Sequence, residues 1–310
     1  MPKCPTVKAL VTGATGFIGG QLARRLLTDG LEVRCLVRER TRAQDLSAAG
    51  YELHEGDVTR PETLRGAGEG IDVAYYLVHG MGRGSDSDSD FEDLERGAAT
   101  GFAQMAATEG IRRVVYLGGL GDNPGSKHLR SRHQTALALR ESGPPLTYFR
   151  AAMVVGAGSE SYRTLRYLVE RLPAMIAPRW LKTKTQPIAI DDVVDYLSRA
   201  ARVDASAGRE VQIGGPDVLS YGEMLDRMAD ALGKYRRPKV PVPLLTPWLS
   251  SLWIGLITPV DAGVARPLVE GLSTETVVTD TSGMNLFDVN PTSFDDALRA
   301  AVRGYSGGTT

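Results

Sequence analysis

Three glycines at a spacing of three, Gly13, Gly16 and Gly19, are the residues whose type and placing bear most directly on chemistry. They follow Val7 to Val11, an apolar run too short for a helix and read as a buried strand. They precede Gln21 to Leu27, where Leu22, Leu26 and Leu27 alternate with Arg24 and Arg25 in helical rhythm. Strand, glycine turn and helix together make the setting of a dinucleotide phosphate cradle. Glycine at 13 permits the tight turn. At 16 it lets the backbone approach a pyrophosphate, and at 19 it lets the helix pack close to the strand. The helix start then offers free N–H groups and a partial positive charge to phosphate oxygens. The candidate contacts in this stretch are Gly13, Thr15, Gly16, Phe17, Ile18 and Gly19.

Leu31 to Arg38 reads as a second strand. An acidic residue at its end would bond the ribose hydroxyls of NAD. The chain instead places Arg38 there, with Arg40 and Arg42 close behind. A guanidinium suits a 2′-phosphate through two parallel charge-assisted hydrogen bonds, which favours NADP(H); Glu39 pulls the other way. A third strand, Tyr51 to Val58, ends in Gly56-Asp57-Val58. Asp57 either accepts from an adenine amino group or caps the turn into Pro61-Glu62-Thr63. Val73 to Val78 is an apolar fourth strand leading into His79. Strand ends on this edge line the ligand crevice. Val58, Leu77, Val78 and His79 are therefore candidate contacts, and His79 is also a candidate proton donor.

The elements that must hold these residues alternate between strand and helix. Gly84 to Asp90 is an acidic, low-complexity loop. It lacks the glycine and the twelfth-position glutamate of a calcium loop, so no metal site is expected. Asp90 is placed to cap a helix from Phe91 to Glu109. Arg113 to Leu117 and Leu146 to Val155 are the fifth and sixth strands. This spacing implies an α/β fold with a doubly wound parallel sheet over 1–157. After Gly158 the pattern becomes mostly helical. Tyr162 to Leu172 is amphipathic, and Asp191-Asp192 is placed to cap a helix through Ala201. Val211 to Pro216 holds a short strand, and Ser220 with Glu223 forms a capping box before a helix to Ala231. Segments 158–182 and 216–310 are expected to form a smaller substrate or partner region, with 183–215 returning to the sheet.

The 310 residues carry a net charge of −1, with 36 basic and 37 acidic side chains, which gives no reason to expect nucleic acid. Cys4 and Cys35 are the only cysteines, and Cys35 falls in a buried strand, as in a reducing cytoplasm. The glycine turn arrives too early for a signal peptide ahead of it. Val240 to Val260 is uncharged over 21 positions but broken by Pro241, Pro243, Pro247 and Pro259, and its uninterrupted piece, Trp248 to Thr258, has 11 residues against the ~20 of a membrane span. Trp248, Leu249, Leu252, Trp253, Leu256 and Ile257 share one helical face. That face is expected to dock on protein, within the chain or across a homodimer, with a lipid surface as the remaining alternative.

Thr12-Gly-Ala-Thr-Gly-Phe-Ile-Gly19, Val37-Arg38, Gly56-Asp57-Val58 and Thr185-Gln-Pro-Ile-Ala-Ile-Asp-Asp-Val193 together resemble the short-chain dehydrogenase/reductase superfamily, in its extended and atypical NmrA-like branch. Tyr76-Leu-Val-His-Gly-Met-Gly82, His128-Leu-Arg-Ser-Arg132, Pro178-Arg-Trp180 and Ile213 to Tyr221 are similar to a bacterial subgroup described as NAD(P)H-binding or as nucleoside-diphosphate-sugar epimerases. The resemblance implies a Rossmann fold with NADP(H) at the strand ends. Superfamily enzymes place a serine at the end of the fifth strand and a Tyr-x-x-x-Lys pair on the next helix. Here the strand ends in Gly118-Gly119, and the helix reads His128-x-x-x-Arg132. Arg132 would hold the nicotinamide ribose, and His128 is a candidate proton donor. Tyr116, just before the glycines, is expected to pack. The resemblance leaves three functions: a reductase of a small, largely apolar carbonyl or enone, a non-catalytic NADP(H) sensor acting on a protein partner, or a sugar-nucleotide epimerase or dehydratase.

Overall fold

The computed structural model describes residues 6–78, 88–121, 127–171, 175–177, 179–241 and 274–305, with the backbone alone at 88–91, 127–128, 175–177, 179 and 239–241. His79, the loop up to 87, Cys4 and the Trp248–Ile257 face lie outside the described residues.

Short apolar runs bounded by glycine turns become the strands of one seven-stranded sheet. These are β1 (Lys8–Thr12), β2 (Glu32–Val37), β3 (Glu52–Glu55), β4 (Val73–Tyr76), β5 (Arg113–Gly119) and β6 (Leu146–Ala151), joined by β11 (Glu210–Ile213). The order is β11-β6-β5-β4-β1-β2-β3, and every pairing is parallel. The strand order reverses between β1 and β4, which opens a crevice at their carboxyl ends. Helix α1 (Phe17–Thr28) and the short α2 (Gln44–Ala48) follow β1 and β2. Helices α3 (Asp88–Thr108) and α4 (Lys127–Ser142) cover the other face and pack on each other. The Ser131 hydroxyl on α4 donates to the Glu95 carboxylate on α3, fixing their mutual register.

The expected sixth strand is in fact two. It breaks after Ala151 and resumes as β7 (Val154–Val155), which leaves the main sheet to pair with β10 (Ile188–Ala189). Beyond it lie α5 (Glu160–Arg171), β8 (Met175–Ala177), β9 (Lys184–Thr185), α6 (Ile190–Arg199), β12 (Leu219–Ser220), α7 (Tyr221–Ala231), β13 (Lys239–Pro241) and α8 (Phe294–Gly304). One core joins α1, α6 and one face of the sheet. A second joins α5, α7 and α8 around Trp180 and Tyr221.

The capping box of α7 forms as the sequence indicates: the Ser220 hydroxyl accepts from the Glu223 N–H, and the Glu223 carboxylate accepts from the Ser220 N–H. Two other expected caps are corrected. Helix α3 begins at Asp88, so Asp90 lies inside its first turn rather than ahead of it. The cap position of α6 is Ala189, and Asp191 and Asp192 sit in the turn beyond. Asp192 instead accepts from the Thr292 N–H at 2.7 Å and its hydroxyl at 3.0 Å, anchoring the chain just before α8.

Candidate functional site

The glycine turn is tight for reasons that are all backbone. Gly13 has φ +67°, in the left-handed region, and a Cβ there would lie 2.7 Å from the Leu77 carbonyl oxygen. A Cβ at Gly19 would lie 2.2 Å from the Gly13 carbonyl oxygen, so α1 rests directly on the turn. Thr12 locks the neighbouring strand end. Its hydroxyl donates to the Tyr75 carbonyl at 3.1 Å and accepts from the Leu77 N–H at 2.8 Å. Leu77 and Val78 are thereby held against Gly13, at the reversal of strand order.

Gly16 occupies the cap position of α1 with no side-chain cap, and the first turn holds no acidic residue. Thr15 and Gly16 are exposed. The helix start is thus left with backbone donors and no competing carboxylate, as a pyrophosphate requires. Phe17 contributes differently from its neighbours. Its ring fills the space beside Gly156 and Gly158, where a Cβ would come within 2.8 and 2.7 Å of it. It joins α1 to the β7–α5 connection, so any phosphate contact it makes comes from its backbone.

Arg38 is exposed at the carboxyl end of β2 and, among the described residues, makes no hydrogen bond or ion pair, its charge acting on the Asp57 carboxylate from a distance. The competing charges around it are already engaged. Glu39 pairs with Arg42 at 2.8 Å, and Arg40 donates to the Leu53 carbonyl at 2.6 Å. Asp57 caps its own turn through Oδ1, accepting from the Thr59 N–H at 2.9 Å and hydroxyl at 2.8 Å. Partial burial raises its pKa, but those bonds and the charges of Arg38 and Arg60 outweigh burial and hold it below the usual value. Oδ1 serves the turn and Oδ2 remains for a ligand, so the two roles considered for Asp57 are compatible. Val58 is half-buried beside it.

At β5 the glycines have another cause. A Cβ at Gly118 would lie 2.7 Å from Cε2 of Tyr148 and 2.8 Å from its hydroxyl oxygen. The phenol of Tyr148 reaches across from β6 into the space a side chain at 118 would take. A Cβ at Gly119 would lie 2.5 Å from a Leu129 methyl and 3.6 Å from Cδ of Arg132, which places Arg132 at this strand end. His128 is on α4 one turn earlier, with only its backbone described. Tyr116 is buried, stacks on Tyr148 at 5.4 Å and 19°, and donates to the Arg132 carbonyl at 3.3 Å. Burial pushes its pKa up, the Arg132 charge only partly opposing, so it packs as expected.

Arg150 holds this edge in place. From β6 its Nε donates to the Gly119 carbonyl at 3.1 Å and an Nη to the Gly121 carbonyl at 2.9 Å, while another Nη pairs with Glu210 on β11 at 2.7 Å. Thr274 and Thr276 stand over Gly121, each with a methyl 3.3 Å from the position of a Cβ. The Thr276 hydroxyl donates to that of Thr185 at 2.7 Å. Tyr221 joins this cluster. Burial pushes its phenol up to about 12, partly offset by hydrogen bonds with Thr185 and Thr276. Trp180 meets the Tyr221 ring edge-on at 6.0 Å, and its buried indole N–H has no partner among the described residues. An orphaned buried donor is a group that a polar ligand atom would satisfy.

Tyr148, Arg150, Tyr221 and Trp180 were not among the sequence candidates. The available signal for Tyr148 was Gly118 itself, since glycine inside a strand marks close approach by another group. Nothing in the sequence says which group. No His, Cys, Asp and Glu cluster suited to a metal is present among the described residues.

Residues 13–166 match the family described as NAD(P)H-binding. A photosystem II assembly factor of Trieres chinensis is 24% identical over 239 residues, 76% of this chain and 73% of that protein. Among the curated relatives compared, the chain spans from 18% to 75% of their length. The triphenylmethane reductase of Citrobacter sp. complexed with NADP(H) superposes with a TM-score of 0.72 at 18% identity, over 95% of this chain and 99% of that one. A nucleoside-diphosphate-sugar epimerase from Staphylococcus aureus gives 0.74 at 14%, over 95% and 100%. At these identities the structural likeness speaks for the fold.

Proposed function

Residues 13–166 belong to the NAD(P)H-binding family, and from that premise we propose that the chain is an NADP(H)-dependent reductase of a small, largely apolar carbonyl or enone compound. The observation that carries the phosphate preference is Arg38, exposed and without an ion pair among the described residues, while Glu39, Arg40 and Arg42 are all engaged. Gly13, Gly16 and Gly19 would hold the pyrophosphate against α1, Asp57 the adenine, and Arg132 the nicotinamide ribose. When bound, the cofactor supplies a hydride.

The chain's own part is to shape the acceptor site and manage charge and protons. Arg132, at the Gly119 edge, supplies fixed positive charge where a carbonyl oxygen gains negative charge; it donates hydrogen bonds but does not deprotonate. His128, one helical turn away, and His79, beyond β4, are the proton donors. Thr274 and Thr276 stand over Gly121, and Thr276 ties through Thr185 to Tyr221, which supports a shaped acceptor site beside the β5 end.

The test is NADPH oxidation over a panel of aldehydes, ketones, enones and quinones. His128→Phe or His79→Phe should lower the rate by about a hundredfold, within the usual range for general acid catalysis. NADPH should bind about tenfold tighter than NADH, and Arg38→Ala should erase most of that difference. Equal affinities in the unmutated chain would sink the phosphate assignment. A silent panel with intact NADPH binding would favour the second reading, a non-catalytic NADP(H)-dependent regulator. That reading draws support from Gly118-Gly119, which offers no hydroxyl, and from the likeness to an assembly factor. Epimerase or dehydratase chemistry is the weakest reading, because the helix after β5 carries His128-x-x-x-Arg132 where a Tyr-x-x-x-Lys pair would supply its base.

A further inference from the structure

Arg60 ends the turn that Asp57 begins. Its N–H donates to the Asp57 carbonyl at 2.8 Å, and its own carbonyl accepts from the Thr63 hydroxyl at 2.7 Å and N–H at 2.9 Å. The next residue, Pro61, packs on α3, where a Cβ at Gly101 would lie 2.6 Å from its ring. A Cβ at Gly56 would lie 2.8 Å from the Thr63 carbonyl oxygen, so the turn is also pressed onto the end of β3. The backbone of Arg60 is therefore fixed. Its guanidinium is exposed and, among the described residues, makes no hydrogen bond or ion pair.

Arg38 belongs to the same corner. The Gly56 N–H donates to the Val37 carbonyl at 2.9 Å, which sets the residues after β3 beside those after β2. The charges of Arg38 and Arg60 both act on the Asp57 carboxylate. The other charges nearby are committed. Glu39 pairs with Arg42 at 2.8 Å, the Arg40 guanidinium donates to the Leu53 carbonyl at 2.6 Å, and Glu55 accepts from the Arg40 N–H at 3.3 Å. Arg38 and Asp57 taken alone cancel. A phosphate monoester carries about two negative charges at neutral pH, and a corner of no net charge would not attract it. The second arginine makes the corner positive.

We propose that Arg60 is a second contact to the 2′-phosphate of NADP(H), reaching it from the β3 side while Arg38 holds it from β2. The inference rests on the NADP(H) reading and is independent of the reductase chemistry. One guanidinium presents a planar fork to two phosphate oxygens, and a second from another strand engages the remaining oxygen. Because the turn is fixed, only the Arg60 side chain must be ordered when the phosphate arrives. Oδ2 of Asp57 stays with the adenine amino group, and Arg60 offsets the repulsion that carboxylate exerts on the phosphate.

The experiment is calorimetric titration of the full chain with NADPH and NADH, and with adenosine 2′,5′-bisphosphate and adenosine 5′-monophosphate, a pair that differs only in the 2′-phosphate. Arg60→Gln should weaken NADPH and the bisphosphate about threefold, the usual worth of an exposed ion pair. It should leave NADH and the monophosphate unchanged. With Arg38→Gln added, NADPH and NADH should bind alike. A thermal melt matching that of the unmutated chain reports that each variant is folded. Equal losses for NADPH and NADH would place Arg60 on the adenosine that both share, and overturn the proposal. A preference for NADPH that Arg60→Gln leaves intact overturns it as well, with the Arg38 assignment still standing. No preference in the unmutated chain sinks both arginines, and none of these results touches the test of reductase activity.

Discussion

The glycines at the two halves of the crevice are there for opposite reasons. At Gly13 and Gly19 the obstacle to a side chain is backbone: the Leu77 carbonyl for one and the Gly13 carbonyl for the other. At Gly118 and Gly119 the obstacle is the side chains of Tyr148 and Leu129. Backbone cannot step aside without unmaking the strand or helix it belongs to, whereas a side chain can be trimmed or repacked. The first half is therefore a fixed mould for one ligand shape. The second is a cavity whose contour is set by exchangeable parts.

The largest effect that would break this contrast is at Gly19. Gly19→Ala should destabilise the fold by about 3 kcal/mol or more, because its Cβ would meet a carbonyl oxygen at 2.2 Å. No partner substitution should rescue it. A thermal melt close to the unmutated chain's, with NADPH binding retained, would refute the mould.

Gly118→Ala is expected to cost less, about 1–3 kcal/mol. Here rescue is the diagnostic. Combined with Tyr148→Ala, the two changes should cost less than their sum by about 1 kcal/mol, because the removed ring vacates the space the new methyl needs. Strict additivity in a denaturant cycle would mean that the strand, not the phenol, forbids a side chain there.

The smallest effect lies away from both halves, at the capping box of α7. Hydrogen bonds from the Ser220 backbone and hydroxyl, then from Lys184, hold the Glu223 carboxyl down at about 2. An unfolded glutamate titrates near 4.3. The folded value is depressed, so the contribution is present above about pH 4.3 and lost as pH falls toward about 2. The group is exposed and screened, so the loss should be small. Glu223→Gln should lower stability slightly at neutral pH, flatten the profile in that window and converge with the unmutated chain below about pH 2. An unaltered acid limb would show that the cap adds nothing.

The same contrast explains what was legible in the sequence. The phosphate cradle, the β2 end and the Ser220–Glu223 box are local: each depends on residues within a few positions of one another, so their spacing shows in the chain. The parallel sheet follows from alternating periodicity. The β5 end is not local. Tyr148, Arg150, Thr185, Tyr221 and Thr276 meet there from four separate segments, and no spacing announces the meeting. The misplaced caps at Asp90 and Asp191-Asp192 have a related cause. An acidic residue ahead of an apolar run suits both the cap and the first turn, and for Asp192 the distant Thr292 decided the matter.

Residues 274–305 return to nearly every layer of the molecule. Thr276 exchanges backbone hydrogen bonds with Lys184 and Gln186, and Gln212 accepts from the Thr279 N–H at 2.8 Å. Phe287 packs on Phe149 and Tyr196 with ring centroids 5.4 and 5.6 Å away, and Phe294 enters the core of α5 and α7. Synthesis runs from the amino end at about 5–20 residues per second, so Phe287 leaves the ribosome roughly 4 to 15 seconds after Ile213 completes the last strand. For that interval the nascent chain holds a finished sheet with one aromatic patch uncovered. The segment thus sets a clock on biogenesis: the molecule passes through a sticky stage whose length is fixed by translation speed, and nearby chains or chaperones compete for the patch until its own tail arrives.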